Sequence, residues 1–235
     1  DFRRCHFREE KQRCARRTLL RFADGVVVTS RRISKIARSA LMSVMVLLLG
    51  VSAWAAPTGK PLHKIRGHQG TVRALTFSPD GSWLVSGSTD ETVRIWNSRT
   101  SDNLQIFPGQ FGGTRTVAVA PDNRTIAAGA YDGKIRLYDG ETGTKLREFG
   151  DYVEWISALA FSPDGKFLAA AAADGDVRLW RVRNGRMIRK FKGHRAGVMA
   201  LRFNKSGRLL ATGGTEKLVR LYRAGTGKLV KSFKG

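Results

Sequence analysis

One turn sequence returns at a fixed step along this chain, and that period constrains the fold more than any other feature. Phe77-Ser-Pro-Asp-Gly81 recurs as Phe161-Ser-Pro-Asp-Gly165, with weaker copies at Val119-Ala-Pro-Asp-Asn123 and Phe203-Asn-Lys-Ser-Gly207. Each step is 42 residues, without insertion. Other landmarks keep the same step. Gly67-His68 returns as Gly193-His194, with Gly109-Gln110 and Asp151-Tyr152 between them. Asp90, Asp132 and Asp174 are followed by Glu216. Arg94-Ile-Trp96, Arg136-Leu-Tyr138, Arg178-Leu-Trp180 and Arg220-Leu-Tyr222 form a further set. A period of this length marks a repeat architecture, in which each unit buries its apolar face only against its neighbours.

Within one unit the pattern reads as strands. Thr71 to Ser78, Trp83 to Ser88 and Thr92 to Asn97 are strands separated by turn chemistry at Pro79-Asp80-Gly81 and Thr89-Asp90-Glu91, and Leu104 to Phe107 is a short outer strand. In the third strand Val93 and Ile95 share one face, Arg94 and Trp96 the other. Four short strands per repeat are what a propeller blade requires. Ala74, Thr116, Ala158 and Ala200 recur where innermost strands crowd a central channel. The expected fold is all-β, with blades at about 68–108, 110–150, 152–192 and 194–234.

These motifs resemble the WD-repeat family, whose units read Gly-His, a Phe-Ser-Pro-Asp-Gly turn, Asp, and a Trp-Asp ending. The resemblance covers residues 58–235. It implies a β-propeller of four-stranded antiparallel blades, and a His, Ser or Thr, Asp and Trp that hydrogen-bond within each blade. Only the first unit has the full set, His68, Ser86, Asp90 and Trp96. The third has Tyr152 and Ala170 beside Asp174 and Trp180, the second keeps only Asp132, and the fourth has His194. Blades two and three are therefore expected to lean on apolar packing. The final Asp survives only as Asp139, being Asn97, Arg181 and Arg223 elsewhere. Pro61 to Arg66 matches Leu229 to Lys234 as an outer strand. The family most often uses seven blades, so the four here are expected to be an incomplete arc of a C-terminally truncated member. Its end faces invite self-association.

The start of the chain belongs to another pattern. Residues 1–29 hold both cysteines, Cys5 and Cys14, and show no link to the repeat; they read as upstream read-through or a disordered basic tail. Residues 30–55 combine the basic Ser30-to-Arg38 stretch, an apolar run from Ala40 to Trp54, and Ala53-Trp54-Ala55. A basic head, a short apolar segment and an Ala-x-Ala site describe a secretory signal peptide. Cleavage after Ala55 implies a periplasmic or secreted protein; left uncut, the segment would serve as a membrane anchor. Residues 56–235 hold 30 basic and 15 acidic residues, a net charge of +15, and no cysteine.

No catalytic constellation can be assembled, and no metal or cofactor is expected: the histidines are His6, His63, His68 and His194, and the Asp residues follow the period. The expected function is non-enzymatic, a scaffold for protein partners outside the cytoplasm. The family's usual binding face carries the Gly-His loops and the loops holding the repeated Asp. There Trp155 stands where other units have Thr71, Gly113 and Gly197, and Tyr131 where they have Thr89, Ala173 and Thr215. Departures toward exposed aromatics mark interface anchors, with Glu154 and Arg195 beside them for specificity. The alternatives are a polyanion-binding module for anionic lipid, glycan or nucleic acid, or an accessory domain of a larger enzyme. The whole chain's net charge of +23 motivates the former. A specific nucleic-acid site is not expected, because the basic cluster Arg186, Arg189, Lys190, Lys192 and Arg195 carries no interleaved base-stacking aromatic.

Overall fold

The computed structural model describes residues 63–234 and two short strands nearer the start, β1 (Leu20–Arg21) and β2 (Val27–Val28). The chain divides into two compact units, Asp1–Lys60 and Pro61–Gly235. In the first, β1 and β2 pair antiparallel, Leu20 opposite Val28. The rest of stretch 1–29 and the signal-like segment 30–55 lie outside the described residues. Among the described residues no helix is long and apolar enough to cross a membrane.

The second unit is all β, in four sheets of four strands. Blade 1 holds β3 (Val72–Phe77), β4 (Trp83–Ser88), β5 (Val93–Asn97) and β6 (Asn103–Phe107). Blade 2 holds β7 (Thr114–Val119), β8 (Thr125–Ala130), β9 (Ile135–Asp139) and β10 (Lys145–Phe149). Blade 3 holds β11 (Ile156–Phe161), β12 (Phe167–Ala172), β13 (Val177–Arg181) and β14 (Arg186–Phe191). Blade 4 holds β15 (Val198–Phe203), β16 (Leu209–Gly214), β17 (Leu218–Arg223) and β18 (Leu229–Lys234). In every blade the strands pair antiparallel in chain order.

Local chemistry sets these strands. At the first turn Ser78 Oγ donates to Asp80 Oδ1 at 2.6 Å, and the Gly81 amide donates to the Ser78 carbonyl at 2.9 Å. Gly81 sits at φ 74°, a left-handed conformation that glycine adopts without steric cost. Blade 2 places Asn123 there at φ 58°, and Asn is among the few other residues that tolerate it. The ladder between first and second strands shifts register at the same place in each blade: Val72/Ala74, Thr114/Thr116, Ile156/Ala158 and Val198/Ala200. A bulge bends and twists the strand locally, so the repeat carries its curvature as a copied irregularity.

The core lies between blades. Val85, Val93, Ile95 and Phe107 of blade 1 pack on Val117, Ile126 and Tyr138 of blade 2. Ile135 and Leu137 meet Ile156, Leu159 and Leu168 at the next junction. Val177, Leu179 and Phe191 meet Val198, Leu201 and Leu210 at the third. The innermost strands β3, β7, β11 and β15 stand side by side, with Ala74, Thr116, Ala158 and Ala200 along one concave surface. The result is an open four-bladed arc.

One sequence expectation fails. Residues 63–66, the described part of the expected outer strand Pro61–Arg66, carry no strand. A strand needs an edge to pair with, and the outer position of blade 4 is already filled by β18.

Candidate functional site

The loops at one end of the arc are fixed by hydrogen bonds inside each blade. In blade 1 the relay is continuous. Trp96 Nε1–H donates to Ser86 Oγ at 2.7 Å, Ser86 meets His68 Nε2 at 2.7 Å, and His68 Nδ1 lies 2.8 Å from Asp90 Oδ2. The network assigns the ring proton to Nδ1, donating to the carboxylate. Burial alone would raise the Asp90 carboxyl; bonds from the Thr92 hydroxyl, the Gln69 amide and His68 hold it well below the usual carboxylate range. Asp90 therefore ties the Gly-His loop to its own turn.

Blade 4 runs the same relay backwards. Arg220 Nη1 donates to His194 Nδ1 at 2.7 Å, and His194 Nε2–H donates to Thr212 Oγ1 at 2.7 Å. Burial, with the Arg220 guanidinium beside it, pulls the His194 imidazole below its ordinary value. Glu216 stands in for the repeated Asp: it accepts from Arg220 at 2.6 Å and from the Arg195 and Ala196 amides.

Blades 2 and 3 lack the four-member relay and share an apolar core, and single hydrogen bonds join their register positions. In blade 3, Trp180 Nε1–H donates to Tyr152 Oη at 3.0 Å, so the two register positions bond directly across the gap left by Ala170. Burial pushes the Tyr152 phenol up, and the Arg178 guanidinium lies 4.1 Å from its ring centroid. In blade 2 the same two positions join as Gln110 Nε2–H to Tyr138 Oη. Asp132 pairs at 2.7 Å with Arg136, which also reaches Glu148 at 3.1 Å. Asp174 accepts only the Asp176 amide among the described bonds, at 2.8 Å. The carboxylate that pairs with Arg178 and Lys190, each at 2.6 Å, is Asp176. The physical reason is Tyr152, which offers Asp174 no ring N–H.

On the loop face the structure brings Tyr131 and Trp155 together, their ring centroids 5.9 Å apart and tilted by 43°. Both are pinned through the backbone: the Tyr131 amide donates to the Gly113 carbonyl and the Ala173 amide to the Trp155 carbonyl, each at 3.1 Å. Tyr131 is 36% exposed, Trp155 is half-buried, and Trp155 Nε1 has no hydrogen-bond partner. Glu154 and Arg195 are exposed and form no side-chain ion pair among the described residues.

Two further residues of this face escape a reading by motif. Phe111, 64% exposed with Arg136 beneath its ring at 5.6 Å, and Val153, 89% exposed, follow the Gly-His positions of blades 2 and 3. The same register holds Gln69 and Arg195 in the outer blades, so the period itself carried the signal. Polar residues at the two ends of the arc thus flank apolar ones in its middle. Elsewhere, two members of the basic cluster are already engaged: Arg189 donates to the Thr226 carbonyl at 2.8 Å, and Lys190 pairs with Asp176. Among the described residues no group of three His, Cys, Asp or Glu is placed to hold a metal ion.

Comparison with known proteins matches the periodic part of the chain. The model of the WD domain, G-beta repeat, fits residues 59–97 and 101–139, and that of the anaphase-promoting complex subunit 4 WD40 domain fits 152–205. A periodic tryptophan protein 2 homolog of Neurospora crassa is 47% identical over 47 residues, 20% of this chain and 5% of the relative. The Schizosaccharomyces pombe homolog is 50% identical over 44 residues, again 5% of its length. Protein ROOT INITIATION DEFECTIVE 3 of Arabidopsis thaliana is 50% identical over 44 residues, 19% of this chain and 10% of the relative. Each match is about one repeat long, so what is shared is the blade and not a whole protein. With its period, its four-stranded blades and these matches in agreement, the chain belongs to the WD-repeat family.

Proposed function

We propose that this chain is a non-enzymatic protein-interaction scaffold that seats a partner on its loop face, anchored on Tyr131 and Trp155. The observation that carries this reading is the contact between those two rings. Each replaces a smaller residue of the repeat, and exposed Phe111 and Val153 stand in the neighbouring loops. Aromatic side chains bring large apolar area at low entropic cost, and exposed apolar clusters on rigid loops mark interaction sites. Glu154 and Arg195 supply charge at the rim, where it selects partners more than it binds them.

The test is affinity capture from the native host, comparing the wild-type chain with Trp155→Ala and Tyr131→Ala at low and high salt. Proteins lost with either variant but retained at high salt support the reading. Retention by both variants with loss at high salt would replace it by charge-driven polyanion binding.

Export remains part of the proposal and rests on the sequence of residues 30–55. Its check is the intact mass of the chain recovered from its host. Processing to a product beginning at Ala56 supports export, and retention of the segment in a cytoplasmic product overturns it.

A further inference from the structure

Each inner strand carries one residue more than its ladder can pair. The register shifts leave Arg73, Arg115, Ser157 and Met199 between paired neighbours, one in each blade. A bulge re-aims the side chain of its extra residue. All four line one concave cavity of about 660 Å³, walled mainly by the four inner strands, and Arg202 of β15 lines it too. Three arginines thus share a cavity whose lining holds no Asp or Glu.

These arginines differ from those that the repeat copies in its third strands. There Arg136, Arg178 and Arg220 hold Asp132, Asp176 and Glu216 at 2.7, 2.6 and 2.6 Å, so their charge belongs to the scaffold. Arg73, Arg115 and Arg202 form no ion pair or side-chain hydrogen bond among the described residues. Arg115 stands in a blade flanked on both sides by others and is half-buried, so its guanidinium gives up part of its hydration without gaining a carboxylate. Ser157, at the same position in blade 3, is tied to the fold instead. Its hydroxyl lies 3.0 Å from the Ala171 carbonyl and also reaches the Val198 carbonyl of blade 4. The bulge position can therefore serve the scaffold, and in blades 1 and 2 it does not.

We propose that this concave surface binds a small anion carrying at least two phosphate or carboxylate groups, held by Arg73, Arg115 and Arg202. The guanidinium fork matches the paired oxygens of either group, which a lysine does not. Arg202 lies three residues further along its strand than the bulge position, about 10 Å at about 3.3 Å per residue. The charges are spread along the cavity, which suits separated anionic groups on one ligand. The volume falls within the range of about 300–1,000 Å³ usual for small-molecule sites. Leu159 and Leu201 add apolar wall, beside which opposite charges are screened less than in bulk water. Neither Tyr131 nor Trp155 lines the cavity, so the site stands apart from the loop-face anchor.

The test is calorimetric titration of the full chain with pyrophosphate and, separately, with citrate at low salt. The expected result is saturable binding of one anion per chain, weakened by added salt. Arg115→Gln and Arg202→Gln should each weaken it by about tenfold or more, with circular dichroism and Tm unchanged. Arg115→Lys keeps the charge but loses the fork, so its affinity should fall between wild type and Arg115→Gln. Arg99→Gln removes an exposed arginine outside the cavity lining and should leave the affinity unchanged. Preference for pyrophosphate assigns a phosphate ligand and preference for citrate a carboxylate one; either supports the site. Saturation by neither anion in the millimolar range would overturn the proposal. So would equal losses in Arg99→Gln and Arg115→Gln, which would mean that net charge and not the cavity holds the anion.

Discussion

Blades 1 and 3 hold their loops with different chemistry at the same register positions. Blade 1 uses a four-member relay from Trp96 through Ser86 and His68 to the Asp90 carboxylate, which in turn binds the turn and loop amides. Blade 3 shortens the relay to one bond between Trp180 and Tyr152 and covers the phenol with Arg178. The larger tyrosine reaches the indole without an intermediary, which frees position 170 to be alanine. Its carboxylate work moves two residues along, from Asp174 to Asp176. The lesson is that two positions 28 residues apart are linked directly in blades 2 and 3 and through Ser86 in blade 1, with the residue types changing together. Gln110 with Tyr138 in blade 2 is a third solution.

The largest expected effect separates the two blades directly. Asp90→Ala should cost about 2–3 kcal/mol, because it strands the His68 ring N–H and the Gln69 and Thr92 amides. Asp174→Ala, at the same register, loses one turn bond and should cost about 0.5–1 kcal/mol in the same urea titration. Equal losses would erase the distinction. Next in size, Tyr152→Phe should cost about 1–2 kcal/mol, since Trp180 Nε1–H is buried and loses its acceptor.

The smallest effect concerns pH and sharpens the contrast between the outer blades. His194 is held below its ordinary value of 6.5 in the folded chain, so the unfolded chain binds the extra proton. Stability should therefore fall as pH drops through about 6.5, visible as a lower Tm at pH 5.5 than at pH 7.5. His194→Gln, which copies the Gln110 solution of blade 2, should flatten that slope. An unchanged slope in the variant would show that the His194 relay does not carry it.

Much of this molecule was legible in its sequence because the period reports three-dimensional position. The strands, the turn at Asp80, the inner-strand small residues and the shared face of Tyr131 and Trp155 all follow from counting in steps of 42. Two features were hidden for physical reasons. The Tyr152–Trp180 bond depends on side-chain reach, which a list of expected residue types does not contain. Asp176 replaces Asp174 only once Arg178 and Lys190 have folded over it. Phe111 and Val153 sit between these cases, because their register was visible while their exposure was not.

The most direct test of the account is a double-mutant cycle on Tyr152→Phe and Trp180→Phe, followed by chemical denaturation. If register pairs the two residues through a bond that stands in for the Ser-relayed one, the single losses should overlap, with a coupling of about 0.5–1.5 kcal/mol. Losses that add to within about 0.3 kcal/mol would contradict it, and blade 3 would then be held by packing alone.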